Sequence, residues 1–381
     1  MELLLTLYLL AASVYVLLAI RCVAKLHHPP LPPAASLPGI TVLKPLHGAE
    51  PGLYDNLLSF CQQDYPGYQV IFGVARDDDP AAAVARQVIA ACPAADLALV
   101  VSERLIGSNR KICNVANCFE QARHDLLVIA DSDMRVPPDY LQRIAHSFAD
   151  PAVGAGTCLY RGKPMGGLAS WLGAAYINEW FLPSVLVATS FQPLHFCFGA
   201  TMAIRRSSLA AIGGFERLAN ELADDYRLGD LVAAQGSRVA LIPCIVENTV
   251  YEPTLRALLR HELRWARTVR TVQAGGYAMS FLTYIVPAAL AFAACVVGRH
   301  PALGVAAVGW AVGLRALLHD VARTTVAPEQ PPAYGLTVLR DLLCFGVWAT
   351  SFLGRHVEWQ GYEFKVDKQG HMELKGTVEP S

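Results

Sequence analysis

The chain has 381 residues, enough for one large or two smaller domains with a substantial buried core. Hydrophobic residues make up 54% of it and charged residues only 17%, which is unusual for a soluble protein and indicates segments in contact with lipid. The formal net charge of −1 gives no overall positive field and argues against nucleic acid as a partner. The ten cysteines form no Cys-x-x-Cys pair, so we expect reduced, mostly buried thiols and an active domain in the cytosol.

The first predicted element is a membrane anchor. Residues 3–20 are uncharged and apolar, and the basic residues Arg21 and Lys25 follow them. Because these charges lie after the apolar run and no small-residue cleavage site closes it, the pattern favours an uncleaved anchor over a signal peptide. The positive-inside rule places the chain that follows in the cytosol. We therefore expect an anchor at 1–25 and a Pro-rich linker at 26–39.

The next segment, 40–253, alternates β-branched runs with helical stretches, which is typical of an α/β domain with a mainly parallel sheet. The predicted strands are Thr41–Leu43, Gln69–Val74, Leu97–Val101 and Leu126–Ala130, and the first connecting helices are Pro51–Gln63 and Pro80–Ala91. No Gly-x-Gly-x-x-Gly or P-loop pattern is present, which argues against dinucleotide and P-loop chemistry.

Charged side chains follow three of these strands. Lys44 ends the first, the acidic triplet 77–79 follows the second, and Asp131 and Asp133 follow the fourth. Ligands bind beyond the carboxyl ends of such strands, so we expect these groups at one edge of the sheet. Two carboxylates one residue apart offer hard oxygen ligands to Mg²⁺ or Mn²⁺, although an acidic turn after a strand has the same pattern. The acidic triplet 77–79 also has the pattern of a helix-capping turn before Pro80.

Residues 254–272 predict an amphipathic helix at a membrane surface. Five arginines recur at steps of three or four, and apolar residues fall on the other side. The basic stripe consists of Arg256, Arg260, Arg264, Arg267 and Arg270, and the apolar side of Leu255, Leu258, Leu259, Ala266 and Val269. Such a helix suits an anionic lipid surface. Upstream, the aromatic-rich segment 168–190 is either a buried core helix or a groove for a lipid tail.

Residues 279–355 predict a membrane hairpin and a further apolar segment. The runs 281–298 and 301–318 are long enough to span a bilayer, and Arg315 lies near the end of the second, where its side chain can snorkel. The shorter run 342–353 is re-entrant, interfacial or a short span. Two spans after the soluble domain return the tail, 356–381, to the cytosol, which is the arrangement we expect, whereas three spans would place it outside.

Short motifs occur in order along the chain. They are KPLHG from Lys44, DYP from Asp64, DDP from Asp78, KxxN from Lys111, DSD from Asp131, GGF from Gly213, DDY from Asp224 and HELRW from His261. Together they resemble the ceramide glucosyltransferases and their bacterial relatives that glycosylate hopanoids, within the inverting glycosyltransferases of the GT-A fold. The resemblance covers residues 40–270 and extends to the anchor before them and the hairpin after them.

The resemblance implies a general base and a metal site. Asp225 corresponds to the base, and adjacent Asp224 cannot share that role because successive side chains point in different directions. Asp133 corresponds to the main ligand of Mn²⁺ or Mg²⁺, with Asp131 beside it on the metal or on ribose. His261, at a position where the family has Gln or Arg, joins Arg264 and Trp265 at the diphosphate and acceptor, and its charge depends on pH.

The resemblance also implies contacts to the nucleotide and its phosphates. They come from Lys44, Asp77, Lys111 and Asn114. Asp78 and Asp79 remain alternatives to Asp77, because the family's first aspartate falls at Arg76 in an ungapped comparison. His195 lies where the family places a strand beside the acceptor, and the tail element Trp359–Tyr362 resembles one that ends many membrane glycosyltransferases of this fold.

The sequence therefore predicts a membrane-bound, metal-dependent, inverting transfer of one sugar, glucose or N-acetylglucosamine, from a UDP-sugar to a ceramide or hopanoid hydroxyl. Its Arg- and Ala-rich composition favours a bacterial inner membrane, crossed several times, with the catalytic domain cytosolic. One alternative is a processive polysaccharide synthase, for which the predicted spans are too few to form a channel. The other is a catalytically silent scaffold, against which intact Asp133 and Asp225 argue.

Overall fold

The computed structural model describes residues 1–27, 29–31, 37–354, 356–359, 362–366 and 372–377. Parts of the predicted linker and tail, including residues 360 and 361 of the Trp359–Tyr362 element, lie outside this range. In chain order the helices and strands are α1 (Glu2–Ala24), β1 (Ile40–Pro45), α2 (Leu53–Cys61), β2 (Tyr68–Val74), α3 (Pro80–Ala91), β3 (Asp96–Val101), α4 (Arg110–Phe119), β4 (Leu126–Ile129), β5 (Met134–Arg135), α5 (Tyr140–Ser147), β6 (Val153–Pro164), α6 (Leu168–Tyr176), a π-helical turn (Ile177–Phe181), α7 (Leu182–Thr189), β7 (Met202–Arg205), α8 (Arg206–Ala211), a 3₁₀ turn (Phe215–Leu218), α9 (Asp224–Ala234), β8 (Arg238–Val250), α10 (Leu255–Val272), α11 (Ala274–Met279), a 3₁₀ turn (Ser280–Thr283), α12 (Ile285–Val296), α13 (Pro301–Val326), α14 (Tyr334–Ser351), β9 (His356–Trp359), β10 (Tyr362–Val366) and β11 (Met372–Thr377).

These elements form two compact units. The first comprises 1–26, 161–192 and 252–360, and the second comprises 27–160, 193–251 and 361–381. The sequence predicts that residues 161–192 lie in the soluble domain, 40–253. In the structure they belong with the apolar helices of the first unit. Of the tail, the described residues 362–366 and 372–377 belong with the second unit.

The second unit contains an eight-stranded sheet in the order β3-β2-β1-β4-β7-β6-β8-β5. Strands β3, β2, β1 and β4 are parallel neighbours, with Leu43 opposite Ile71 on one side and Ile129 on the other. All four predicted strands and both predicted helices are confirmed. Strands β1, β2 and β4 are almost fully buried, as parallel strands covered on both faces are. Their carboxyl ends meet at one edge, the edge where the sequence predicts charged groups.

The prediction of a mainly parallel sheet holds only for this first half. Strand β7 pairs antiparallel with β4 and β6, and β5 pairs antiparallel with β8. The sheet is therefore mixed. Strand β7 is short and follows the loop 190–201 rather than a crossover helix, so it enters the sheet from the opposite end. The antiparallel partners place the loop before β7 and the start of α9 at the edge where β4 ends.

The first unit contains the apolar helices. Two described helices are long and apolar enough to cross a membrane, α1 and α13. At 1.5 Å per residue they measure about 35 and 39 Å, against a hydrocarbon core of about 30 Å. The shorter run 342–353 lies in α14, which begins at Tyr334 and carries the buried charges Arg340 and Asp341. These charges leave α14 outside the group of described helices apolar enough to span.

The predicted span 281–298 is not one straight helix. Helix α12 has 12 residues, and its axis is bent by 60° from the preceding helical segment, 274–283. Pro287 accounts for the break, because it has no N–H to donate to the carbonyl of Thr283, four residues earlier. The predicted hairpin is therefore a broken span or a re-entrant segment followed by α13.

Arg315 does not snorkel, contrary to the sequence prediction. Its side chain is fully buried in the first unit, 2.5 Å from Asp341 and with its guanidinium 4.3 Å from the Trp180 ring centroid. It also donates to the carbonyl of Thr283, which Pro287 leaves without a helical donor. A buried charge needs a partner, and Arg315 finds one because the chain breaks here.

A buried ion pair and a buried hydrogen-bonded group tie further helices of the first unit together. Arg340 of α14 makes a bidentate contact with Glu262 of α10, at 2.6 and 2.5 Å. His319 of α13 lies 2.8 Å from Glu179 in the π-helical turn, and Thr337 donates to the same carboxylate. The segment 168–190 is accordingly a mostly buried core helix interrupted by this turn, the simpler of its two interpretations.

Candidate functional site

The acidic groups of the second unit gather around one lysine. Lys111, in the first turn of α4, lies 2.7 Å from Asp131 Oδ1 and 3.3 Å from Asp224 Oδ2. The lysine side chain is 12% exposed and Asp224 is buried, whereas Asp131 is 35% exposed. The D-x-D loop after β4 and the start of α9 therefore meet, although 90 residues separate them in the chain. Because Asp224 is buried, the acid pair is not a solvated helix end.

Asp225 is held by backbone amides. Its Oδ2 accepts from the N–H of Gly199 at 2.8 Å, and its Oδ1 accepts from the N–H of Tyr226 at 2.7 Å. Gly199 lies in a tight turn fixed by Thr157, whose hydroxyl oxygen accepts from the N–H of Phe198. Burial, reinforced by neighbouring Asp224, raises the pKa of Asp225 to about 6. The carboxylate thus has a fixed position and a pKa close to neutral, which suits a general base.

Gly199 also adjoins the D-x-D loop. A Cβ atom on Gly199 would lie 2.7 Å from Asp131 Oδ2 and 3.4 Å from Lys111 Nζ. The absence of a side chain at this position is what allows the backbone to approach both Asp131 and Asp225.

One carboxylate oxygen of Asp133 is hydrogen-bonded, and the other has no hydrogen-bond partner. Its Oδ2 accepts from Asn248 Nδ2 at 2.8 Å, and its backbone carbonyl accepts from the N–H of Thr249 at 2.8 Å. Its Oδ1 is buried and has no hydrogen-bond partner. Burial and the nearby Asp131 raise the pKa of Asp133 to about 7. An orphaned buried carboxylate oxygen is costly unless a cation or donor meets it, so this site fits a metal ion.

The protein supplies few ligands to such a metal. Among the described residues, no group of three or more His, Cys, Asp or Glu side chains is arranged to hold one. Mg²⁺ is commonly held by one or two carboxylates together with water and substrate phosphates. Asp133 and Asp131 fit that pattern.

Lys44 supports the D-x-D loop from beneath. It is fully buried, donates to the carbonyl oxygen of Asp131 at 2.5 Å and lies 3.9 Å from the Phe60 ring centroid. Burial lowers the pKa of Lys44 to about 7, although the carboxylates of Asp133 and Asp131 oppose the effect. In this structure Lys44 orients the loop, and its predicted contact to phosphate stays a prediction.

The acidic triplet divides between solvent and a helix cap. Asp79 caps α3, accepting from the N–H of Ala81, and also accepts from the N–H of Gly48. Asp77 and Asp78 are exposed and pair with arginines, Arg86 and Arg76 respectively. The capping interpretation thus holds for Asp79. The choice of a nucleotide contact within the triplet stays open.

Asn114 joins the ends of two strands. Its side-chain amide donates to the carbonyl of Gly73 at 2.8 Å and to that of Leu46 at 3.4 Å. A Cβ on Gly73 would lie 2.0 Å from Asn114 Oδ1, so the two residues are closely packed. Asn114 therefore fixes the loops that follow β1 and β2.

Sequence reasoning missed Asn109 and Asn248. Asn109 is fully buried, caps α4 through Ile112 and donates to Asp224 Oδ1 at 3.2 Å. An Asn two residues before Lys111, at a helix start, is a recognisable capping signal. Asn248 sits within the β-branched run that ends β8, where a polar residue is unusual. Both asparagines orient acids of the site.

The C-terminal strand β11 reaches the same region of the second unit. The N–H of Met372 donates to the carbonyl of Asn220, and the Ser108 hydroxyl donates to the carbonyl of Met372. The Asn220 side chain accepts from the N–H of Ser108. These contacts link β11 to the two loops that carry Asn109 and lead into α9.

The HELRW motif lies in the first unit, on α10. His261 Nδ1 is 2.7 Å from Glu252, and its ring packs against Trp265, with centroids 4.1 Å apart. Trp265 also stacks on Tyr176. Burial lowers the pKa of His261, which the hydrogen bond to Glu252 only partly opposes, so the neutral imidazole is favoured. The predicted roles of His261, Arg264 and Trp265 stay predictions.

The basic stripe of α10 is not one continuous surface. Arg256 and Arg260 are exposed, together with Leu255 and Leu259 of the apolar side. The buried face is Leu258, Glu262 and Ala266. Arg267 and Arg270 instead donate to the carbonyls of Leu353 and Gly354, which follow α14. The first half of the helix is therefore the part suited to a lipid surface.

This division predicts different effects on stability within the stripe. Replacing Arg267 and Arg270 together with Gln removes two charge-assisted hydrogen bonds, so we expect unfolding to become easier by roughly 1–3 kcal/mol. The control Arg256→Gln removes a charge from an exposed position of the same stripe and should leave the midpoint almost unchanged. Thermal unfolding of both variants in detergent tests this. Equal midpoints for the two would mean that the stripe acts as one surface.

Comparison with known proteins adds a family and a fold. The family described as Glycosyl transferase family 21 matches residues 4–372. The chain is 25% identical over 229 residues to Ceramide glucosyltransferase 1 of Caenorhabditis elegans, covering 60% of this chain and 49% of that protein. It is 26% identical over 242 residues to an N-acetylglucosaminyltransferase of Rhizobium leguminosarum bv. viciae, covering 61% of this chain and 56% of that protein. The chain thus spans about half the length of the curated relatives it matches.

A solved structure shares the architecture. The mannosyltransferase PcManGT from Pyrobaculum calidifontis, in complex with GDP-Man and Mn²⁺, superposes with a TM-score of 0.54 at 18% identity. The match covers 92% of this chain and 98% of the other. A likeness at this identity supports the fold, which is the GT-A glycosyltransferase fold.

Proposed function

This chain belongs to glycosyl transferase family 21, and from that premise we propose that it is a membrane-bound enzyme transferring one sugar from a UDP-sugar to the hydroxyl of a lipid, with inversion at the sugar. Glucose and N-acetylglucosamine are the proposed sugars, since glucosyl- and N-acetylglucosaminyltransferases are both among its relatives. Ceramide or a hopanoid is the proposed acceptor. The single observation that carries the proposal is the cluster of Asp131, Asp133 and Asp225 at one edge of the sheet.

In the proposed reaction, Asp225 takes the proton from the acceptor hydroxyl as the oxygen attacks the sugar carbon. Its carboxylate is held by the amides of Gly199 and Tyr226, so it needs little reorganisation. Asp133 and Asp131 would hold the Mn²⁺ or Mg²⁺ ion, which supplies positive charge to the leaving diphosphate when bound. Lys111 adds a further positive charge beside Asp131. The relative crystallised with a nucleotide-sugar and Mn²⁺ supports this use of the fold.

Membrane attachment supports a lipid acceptor. The helices α1 and α13 are long and apolar enough to cross a membrane. Exposed Leu255 and Leu259 beside Arg256 suit the surface of the same membrane. We propose a bacterial inner membrane with the sheet-containing unit in the cytosol, where nucleotide-sugars are made.

The proposal is tested by release of the nucleotide. Purified protein in detergent, given Mn²⁺ and ceramide or a hopanoid alcohol, should release UDP from UDP-glucose or UDP-N-acetylglucosamine. GDP-mannose serves as the matched donor control, since it is the nucleotide-sugar bound by the structural relative. Release that depends on the lipid supports transfer. UDP release that is equal with and without lipid would mean that the acceptor is not a lipid of these classes.

The rate of transfer should depend on pH through Asp225. A general base must be deprotonated, and burial raises the pKa of Asp225 to about 6 from its ordinary value near 4. We therefore expect kcat/KM to fall as pH drops below about 6, where an ordinary aspartate is still ionised. A profile of kcat/KM between pH 4.5 and 8 measures this fall. A profile flat down to pH 5 would remove a raised carboxylate pKa from the mechanism.

Gly199→Ala should cost activity without unfolding the protein. The new Cβ would lie 2.7 Å from Asp131 Oδ2, so the carboxylate or the loop must shift. Displacements of about 1 Å in a catalytic constellation cost roughly 10²-fold in rate. The matched control is Gly67→Ala, because a Cβ on Gly67 meets nothing within 4 Å. Turnover and thermal unfolding of both variants decide the matter, and an active Gly199→Ala protein would show that the close approach is unnecessary.

A further inference from the structure

The position of Lys111 leaves the two D-x-D acids in different states. Its ammonium lies 2.7 Å from Asp131 Oδ1, whereas Asp133 Oδ1 is buried without a hydrogen-bond partner. Lys44 contributes no such contact, since its ammonium donates to the backbone carbonyl of Asp131. The charge of Asp131 is thus already neutralised by Lys111, whereas Asp133 Oδ1 has no hydrogen-bond partner.

Lys111 is also anchored from its far side. Its ammonium is 3.3 Å from Asp224 Oδ2, and Asp224 is itself held by the amide of Asn109, the cap of α4. The ammonium therefore lies between two carboxylates, those of Asp131 and Asp224. It retains a partner in Asp224 when its contact to Asp131 is broken.

We propose that Lys111 is a resident counter-ion, and that the metal binds by exchange, displacing the Lys111 ammonium from Asp131. This inference rests on the proposed function, since it takes the D-x-D acids to be the metal site. The displaced ammonium, still paired with Asp224, is then available to the diphosphate of the donor. Lys111 thereby couples the binding of the metal to the binding of the donor diphosphate. The metal alone must displace a cation, whereas the metal arriving with a diphosphate gives that cation a new partner.

The exchange predicts that Mn²⁺ affinity changes when Lys111 is removed, in a direction that a lysine which only binds phosphate would not produce. A positive charge beside a metal site opposes a divalent cation, so its removal should tighten metal binding. Removing a phosphate contact should weaken nucleotide binding. Lys111→Met should therefore bind Mn²⁺ about tenfold more tightly without nucleotide, and the mutual enhancement of Mn²⁺ and UDP should shrink, since coupling is reciprocal.

The experiment measures Mn²⁺ affinity of the full chain in detergent by electron paramagnetic resonance, with and without UDP. The variants are Lys111→Met, Lys111→Gln and Lys111→Arg. Lys111→Gln keeps a hydrogen-bond donor without the charge and should behave as Lys111→Met, whereas Lys111→Arg should resemble the wild type. Arg110→Met is the matched control, because it removes a positive charge from the same first turn of α4. Circular dichroism establishes that each variant is folded.

Tighter Mn²⁺ binding by both uncharged variants, beyond that of Arg110→Met, supports the exchange. Unchanged or weaker Mn²⁺ binding in the folded Lys111 variants overturns it, and so does an equal gain in Arg110→Met. If either Lys111 variant does not fold, the other carries the same decision. Wild-type protein that binds Mn²⁺ neither alone nor with UDP would overturn the proposed metal site and the exchange together.

Discussion

Asp225→Asn should lower the rate of sugar transfer by roughly 10²–10⁴-fold, the usual cost of losing a positioned base. Asp225 acts on the acceptor, so affinity for the donor should change little. The carboxylate accepts from two backbone amides, and an asparagine must turn its NH₂ group towards one of them. Turnover, UDP affinity and the unfolding midpoint are therefore measured together.

Asp230→Asn is the matched control for this variant. Asp230 lies on the same helix, α9, is 41% exposed and pairs with Arg227. Its replacement should leave turnover near the wild-type value. Substantial transfer by folded Asp225→Asn protein would remove Asp225 from the mechanism and leave its position to be explained by structure alone.

Asp133→Asn should abolish metal-dependent binding of UDP while stabilising the protein without metal. The open Oδ1 would lose its charge, and the diphosphate its main counter-ion. Burial and Asp131 raise the pKa of Asp133 from 3.8 to about 7. Stability linked to its protonation is complete below pH 3.8 and is lost as pH rises through about 7. Replacing it should therefore raise the unfolding midpoint at pH 8 more than at pH 5.

Calorimetry with UDP and Mn²⁺, with and without EDTA, measures the binding, and thermal unfolding without metal measures the stability. The control is Asp125→Asn, because Asp125 precedes the other end of β4 and its side chain is 99% exposed. A variant that is less stable at pH 8 and still binds UDP through Mn²⁺ would make Asp133 a structural residue.

The sequence predicts the parallel half of the sheet well, and the reason is local. Strands such as Thr41–Leu43 and Leu126–Ala130 are continuous apolar runs bounded by polar residues, so periodicity and composition identify them. Their shared direction then brings Lys44 and Asp131 to one edge without further information. The antiparallel half depends on where β7 enters, which no local pattern records.

The contacts within the site were less predictable. The D-x-D and Asp224–Asp225 motifs are evident in the sequence, but the contact of Lys111 with both Asp131 and Asp224 joins segments 90 residues apart. Gly199 gives no chemical signal, because its contribution is an absent side chain. Arg315 illustrates the opposite error: a charge near a helix end predicts snorkelling, whereas the break at Pro287 offers it a buried partner.

The central proposal, inverting transfer of one sugar to a lipid, is tested most directly by the product. Purified wild-type protein is incubated with UDP-[¹³C]glucose or UDP-[¹³C]N-acetylglucosamine, Mn²⁺ and ceramide or a hopanoid alcohol, and the lipid fraction is analysed by mass spectrometry and NMR. We expect one labelled sugar per lipid, with the anomeric configuration opposite to that of the donor, and product formation by Asp225→Asn that is slower by roughly 10²–10⁴-fold. A retained configuration, a polymer, or no lipid-linked sugar with any donor and acceptor of these classes would contradict it.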